Sequence, residues 1–372
     1  MDRLQRTLAA RRLVVKVGSS LLVDPDGKVR AAWLDGLARD VARLRARAQQ
    51  VAIVTSGAIA LGRATLRLPQ RPLRLEEKQA AAAAGQILLA RAWQESLARV
   101  RLETAQILIT LEDTEARRRY LNARATIETL LKLGVVPVVN ENDTVATSEI
   151  RFGDNDRLSA RVAVMALAET LVLLSDIDGL YTADPRQDQE ARHLAVVEAI
   201  TPEIEAMAGG SGSLVGTGGM VSKLLAARIA TASGCAVVLA HGQTEQPLGA
   251  VEAGARCTLF TPTTSPRRAR KDWIAASLAV VGSLRIDAGA VAALRRGSSL
   301  LPAGVTTVEG SFERGDAVLV RGPDDTPIAK GLAAFDAADA KALLGRRTDE
   351  IEAVLGYRGR SEMVHRDDLV LL

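Results

Sequence analysis

The feature that most constrains this chain is a repeated alternation of short apolar runs with longer helical patterns. Runs rich in Val, Ile and Leu fall at 13–17, 51–55, 105–110, 135–140, 170–175 and 235–240. Between them, alanine-rich amphipathic stretches occupy 31–49, 76–99, 113–133, 155–168 and 221–233. Runs such as VAIVT, VVPVV and LVLL are apolar on both faces, which suits a strand only when helices cover both sides of its sheet. The alternation predicts a three-layer α/β domain with a mainly parallel central sheet.

The pattern stops near residue 260. The segment 261–272, TPTTSPRRARKD, combines prolines, hydroxyl residues and a basic cluster and reads as a linker. After it, turn signals recur at short intervals around runs at 317–321 and 328–332, as in a small β-rich barrel-like domain. The expected organisation is therefore a first domain over 1–260, a linker over 261–272, and a second domain with its tail over 273–372.

Composition removes several classes of chemistry. Only two cysteines, Cys235 and Cys257, and three histidines, His193, His241 and His365, occur in 372 residues. That argues against a disulfide framework, a zinc site and a nucleophile activated by histidine. No apolar run approaches 18 residues, so no membrane span is expected and the chain reads as cytoplasmic. Net charge is +4 overall, but residues 271–372 carry 13 basic and 15 acidic side chains, so a nucleic-acid-binding second domain is not supported by charge.

The cations are unevenly chosen. The chain has 40 Arg and only 8 Lys, so each lysine is a candidate for a task that needs a compact ammonium. Two of them lie beside glycine-rich turns. In VVKVGSSLL, Lys16 sits on a strand that runs into Gly18, where bare backbone N–H groups can meet an anion. In GTGGMVSKLLAARIA, Gly216 to Gly219 precede a helix with Lys223 in its first turn, an unfavourable place for a cation unless an anion is present. A snorkelling strand lysine and a flexible linker are the plainer readings of these two elements.

Other polar clusters stand where strands end. VAIVTSGAIALG puts Ser56 and Gly57 at a strand-to-helix junction, where Ser56 could equally be a cap. VVPVVNENDTVA ends an apolar strand in Asn140, Glu141, Asn142 and Asp143, more polar groups than a cap requires. GDNDRLSA starts a helix with Asp154, Asn155 and Asp156, and SDIDGLYTADPR delivers Ser175 and Asp176 to a turn. Two lysines, two glycine-rich turns and several carboxylates suit phosphoryl transfer, which needs positioning and charge neutralisation.

In this order, VVKVGSSLL, VTSGAIALG, VPVVNENDTVAT, FGDNDRLSA, SDIDGLYTADPR and GTGGMVSK resemble the glutamate 5-kinases of the amino acid kinase superfamily. RGSSLLPAGV and the closing LGY…VHRDD resemble the PUA domain that many bacterial members append. The resemblance implies ATP-dependent phosphorylation of the L-glutamate γ-carboxylate, the first step of proline biosynthesis, with Mg²⁺. It also implies feedback inhibition by proline and a homo-oligomer.

By position it implies that Lys16 and Lys223 neutralise the transferring phosphoryl group and that Asp156 holds both ammonium groups. Ser56, Asn140, Asp143 and Asn155 would hold glutamate. Ser175, Asp176, Thr217, Gly218, Gly219, Met220, Val221, Ser222 and Lys223, with Lys16, would hold the nucleotide. Ser175 and Ser222 stand where Thr is usual, and both keep the hydroxyl. No metal ligand is assigned. The alternatives are an amino acid kinase acting on a related carboxylate, an RNA-binding PUA protein, and a non-catalytic amino acid sensor, the last of which predicts a defective lysine or Asp156.

Overall fold

A computed structural model of the chain describes residues 2–145, 154–208, 219–277 and 279–372. Two compact units divide it, Met1–Pro266 and Arg267–Leu372.

The first unit is built on an eight-stranded sheet. Its strands are β1 (Arg12–Val17), β2 (Gln50–Val54), β3 (Thr104–Ile109), β4 (Val136–Glu141) and β5 (Thr170–Ser175). The short pair β6 (Leu180–Tyr181) and β7 (His193–Leu194) forms a separate hairpin; β8 (Val196–Val197), β9 (Ala236–His241) and β10 (Cys257–Phe260) complete the sheet. The order is β3-β4-β2-β1-β5-β9-β10-β8, and every pairing is parallel except β9 with β10.

Alternation along β1 explains the layering. Leu13, Val15 and Val17 pack with Trp33, Leu37, Leu89 and Trp93 on one face of the sheet. Val14 faces the other way, among Leu158, Val162, Leu224 and Ala227. Because successive side chains point to opposite faces, Lys16 lies on the Val14 side, toward the helices Asp154–Met165 and Met220–Ala232. Strands β1, β4 and β5 are buried on both faces, as their apolar character requires, whereas the edge strand β3 is partly exposed.

Two expectations change. The helix expected over 113–133 is two, Leu111–Glu115 and Arg117–Lys132, because Ala116 between them is extended. The segment 261–272 is not a linker throughout: Pro266 opens a helix, Pro266–Ser277, whose Ile274 and Arg270 are buried. Arg270 Nε donates to Asp368 Oδ1 at 2.7 Å, and Lys330 Nζ donates to the Ala275 carbonyl at 3.0 Å. Proline is well suited to a first helical position, so the residue that suggested a break marks a start.

The second unit carries a five-stranded sheet of β11 (Val280–Ile286), β12 (Val305–Gly310), β13 (Ala317–Arg321), β14 (Pro327–Leu332) and β15 (Leu369–Leu371), in the order β12-β11-β13-β14-β15. Leu284, Ile286, Phe312, Val318, Val320 and Val364 form its separate core.

Candidate active site

Parallel strands place their carboxyl ends along one edge, and in open α/β sheets ligands bind there. At this edge β1 ends after Lys16, β2 leads into Ser56, β4 ends in Asn140 and Glu141, and β5 ends in Ser175. Registers of Lys16 with Val54 and of Lys16 with Leu173 put the lysine on the central strand, between β2 and β5.

Its partner comes from the first turn of the helix Asp154–Met165. Lys16 Nζ lies 2.7 Å from Asp156 Oδ1, and Lys223 Nζ lies 3.5 Å from Asp156 Oδ2. Ser222 Oγ donates to Oδ2 at 2.7 Å. Asp156 is 1% exposed, Lys16 7% and Lys223 9%, so the three charges are held in the interior. Burial by itself would push the Asp156 carboxyl up, but the Lys16 and Lys223 charges and the Lys16 and Ser222 hydrogen bonds outweigh it and hold it below its ordinary value of 3.8. The triad thus holds two ammonium groups spaced by one carboxylate.

A polar chain lies beside this triad. Ser56 stands between Thr55, which accepts from Trp93 Nε1 at 2.9 Å, and Gly57. At Gly57, φ is +110°, a conformation open to glycine that lets the strand turn directly into the helix Ala58–Thr65. Asn155 Nδ2 donates to Ser56 Oγ at 2.8 Å and lies 3.4 Å from Asn140 Oδ1. Asn140 Nδ2 in turn donates to Gln86 Oε1 at 2.8 Å. Asp143 is buried just beyond β4.

At the end of β5, Ser175 Oγ donates to Asp176 Oδ1 at 3.0 Å and Arg186 donates to Asp176 Oδ2 at 2.8 Å. Burial raises the Asp176 carboxyl, yet the Arg186 and Ser175 hydrogen bonds bring it below its ordinary value. A cavity of about 440 Å³ opens here, lined by Asp176, Asp178, Arg186, His241, Thr244 and Arg256 among others. Gly219 precedes the helix Met220–Ala232, and Met220, Val221, Ser222 and Lys223 form its first turn. Thr217 and Gly218 lie outside the described residues.

Comparison with known proteins gives the family. Residues 11–241 match the amino acid kinase family and residues 282–355 match the PUA domain. A glutamate 5-kinase of Paramagnetospirillum magneticum is 59% identical over 98% of this chain and 98% of its own length. The chain belongs to the glutamate 5-kinases of the amino acid kinase family. Glutamate 5-kinase 1 of Rhizobium meliloti is similar to it as well, at 60% identity over 97% of this chain and 92% of the relative.

Within this family member, sequence reasoning missed Gln86. It lies in no motif, in the middle of the helix Leu75–Arg99. No signal in the sequence marks it; in the structure it follows Gly85, where a Cβ would fall 1.8 Å from the Ala58 carbonyl oxygen of the facing helix. The anion expected beside Lys223 also proves to be partly internal: it is the Asp156 carboxylate.

Proposed function

We propose that this site transfers the γ-phosphoryl group of ATP to the γ-carboxylate of L-glutamate, forming L-glutamyl 5-phosphate and ADP, the opening step of proline biosynthesis. The observation that carries the reading is the Lys16–Asp156–Lys223 triad, buried at the carboxyl edge of the sheet. A carboxylate oxygen of glutamate attacks the γ-phosphorus while the bond from that phosphorus to the ADP oxygen breaks. Charge on the transferring group spreads over its equatorial oxygens, and ammonium groups fixed beforehand stabilise it without reorganisation. Asp156 sets their spacing. It has no proton to remove, because a γ-carboxylate is already ionised at neutral pH.

In this reading Ser56, Asn140, Asp143 and Asn155 hold glutamate, while Ser175, Asp176 and the segment 217–223 hold the nucleotide, and the cavity beside Asp176 gives room for its nucleoside end. Among the described residues no group of three or more His, Cys, Asp or Glu side chains converges as a metal cage. Mg²⁺ commonly binds through phosphates, water and one or two carboxylates, so the ion is treated as part of an MgATP substrate. Feedback inhibition by proline, homo-oligomer formation and a cytoplasmic setting accompany the proposal on the family resemblance. Among the described residues no helix is long and apolar enough to cross a membrane.

Coupled ADP release measured with L-glutamate, aspartate, N-acetylglutamate and carbamate tests the assignment. L-Glutamate should give the highest kcat/KM, and preference for another acceptor would reassign the substrate. Addition of proline to the same assay, and light scattering of the protein, test inhibition and assembly.

A further inference from the structure

The amide chain next to the triad has a direction, and that direction has consequences for what binds. We propose that Gln86 is a positioning residue that sets the hydrogen-bond polarity of the acceptor subsite, and thereby its preference for an α-amino acid over the matching plain dicarboxylate. The inference rests on the glutamate reading above and deepens it.

A primary amide can turn either its oxygen or its nitrogen toward a neighbour, so a chain of amides is ambiguous until one end is fixed. Gln86 Oε1 accepts from Asn140 Nδ2 at 2.8 Å. With that nitrogen committed, Asn140, which is 2% exposed, turns Oδ1 toward Asn155 Nδ2 at 3.4 Å. Asn155 Nδ2 also donates to Ser56 Oγ at 2.8 Å, so both of its hydrogens are engaged. Two groups are then left over. Asn155 Oδ1 is a buried acceptor with no hydrogen-bond partner among the described residues. The Ser56 oxygen is accepting, which directs its own hydrogen elsewhere.

A buried acceptor without a donor is costly until a ligand supplies one. An acceptor on Asn155 beside a donor on Ser56 matches an ammonium and a carboxylate, the two groups that a free amino acid carries on one carbon. If the Gln86 amide were reversed, the chain would reverse with it: Asn155 would offer nitrogen, and the ammonium would meet donors. The backbone that carries Gln86 is fixed by close helix packing, and its amide oxygen is engaged by Asn140 Nδ2. Gly85 and Gly62 let the helices Leu75–Arg99 and Ala58–Thr65 approach so closely that a Cβ at Gly62 would lie 1.7 Å from the Ala81 carbonyl oxygen. The same two helices therefore fix Gln86 and the turn that bears Ser56.

The test compares L-glutamate with glutarate, which lacks the α-amino group, on the full-length protein and on Gln86→Met and Gln86→Glu. Met keeps the length of the side chain and loses the hydrogen bond, whereas a carboxylate can only accept and preserves the polarity. The ratio of kcat/KM for L-glutamate to that for glutarate should fall by about tenfold or more in Gln86→Met, through a higher glutamate KM. ATP KM and the melting temperature should stay near those of the wild type, and Gln86→Glu should keep most of the preference.

A Met variant with the wild-type ratio, or Glu and Met variants that lose it equally, would overturn the proposal. Should Gln86→Met fail to melt cooperatively, Gln86→Lys, a donor of similar reach, reads the same ratio and should abolish the preference. Calorimetric titration of both ligands gives the ratio without turnover. A wild type that binds L-glutamate preferentially yet does not phosphorylate it contradicts the kinase reading and leaves the role of Gln86 standing.

Discussion

The Lys16 ammonium lies 2.7 Å from Asp156 Oδ1, and neither side chain is more than 9% exposed. Burying two charges costs several kcal/mol each, and their attraction offsets this only with good geometry, so such a pair is a poor way to stabilise a fold. Its value here lies in position: the strand and the helix that bear the two residues bring a cation to the sheet edge and stop it from wandering.

Replacing Lys16 or Lys223 by Ala should lower kcat by at least about a hundredfold, comparable to losing one preorganised electrostatic donor, with a much smaller change in glutamate KM. Arginine should not rescue either position, because its planar fork spreads the charge and is larger than the space beside Asp156 was shaped to hold. Steady-state kinetics of folded variants decide the matter, and an unchanged kcat removes the lysine from the mechanism.

Asp156 gives two pH predictions. Its carboxyl titrates below 3.8 in the folded chain, so the stability it contributes is complete above the unfolded value and drains away as pH falls through the folded one. Asp156→Asn should be less stable than the wild type at pH 7, and the gap in melting temperature should narrow below about pH 4; a gap that widens in acid contradicts the sign. In activity, the same variant should stay impaired at every pH, whereas recovery at high pH would mean that a general base had been lost.

Ser222 was grouped with the nucleotide-binding residues by resemblance, yet its hydroxyl reaches Asp156 Oδ2 at 2.7 Å. A hydrogen bond to a buried charge is typically worth about 1.5–3 kcal/mol. Ser222→Ala should therefore lower kcat about tenfold or more with little change in ATP KM, and Ser222→Thr should restore it. A raised ATP KM with normal kcat would return Ser222 to the nucleotide.

The sheet and most of its helices were legible because strands buried on both faces cannot hide their composition. So were the ends of those strands, where polar groups such as Asn140–Glu141 follow apolar runs, and the acidic start of the helix at Asp154–Asp156. Gln86 was not legible, since one glutamine on a long helix has no local signature, and its importance depends on which side chain the opposite strand presents. The linker misled for a different reason: Pro266 and the Arg-rich residues after it have the composition of a loop, while the buried Arg270 is paired with Asp368, about a hundred positions away.

The helix that opens at Pro266 leaves the useful cut site within 261–272 just ahead of it. Residues 1–265 should fold cooperatively and phosphorylate L-glutamate, because every residue assigned to the chemistry precedes the cut and the helix Pro266–Ser277 packs with the second unit. A chain ending at 277 should be less soluble, since it exposes Ile274 and leaves Arg270 without Asp368. Purification, thermal melts and ADP release on both truncations check this; a folded but inactive 1–265 fragment would assign part of the site to the second unit.

The most direct test of transfer to a carboxylate is to trap the product. With hydroxylamine present, an acyl phosphate is converted to a hydroxamate, so wild-type protein given ATP, Mg²⁺ and L-glutamate should form glutamyl hydroxamate in step with ADP, and Lys16→Ala should form neither at a comparable rate. Release of ADP without hydroxamate would show that the phosphoryl group goes to water or to another acceptor, and would contradict the account.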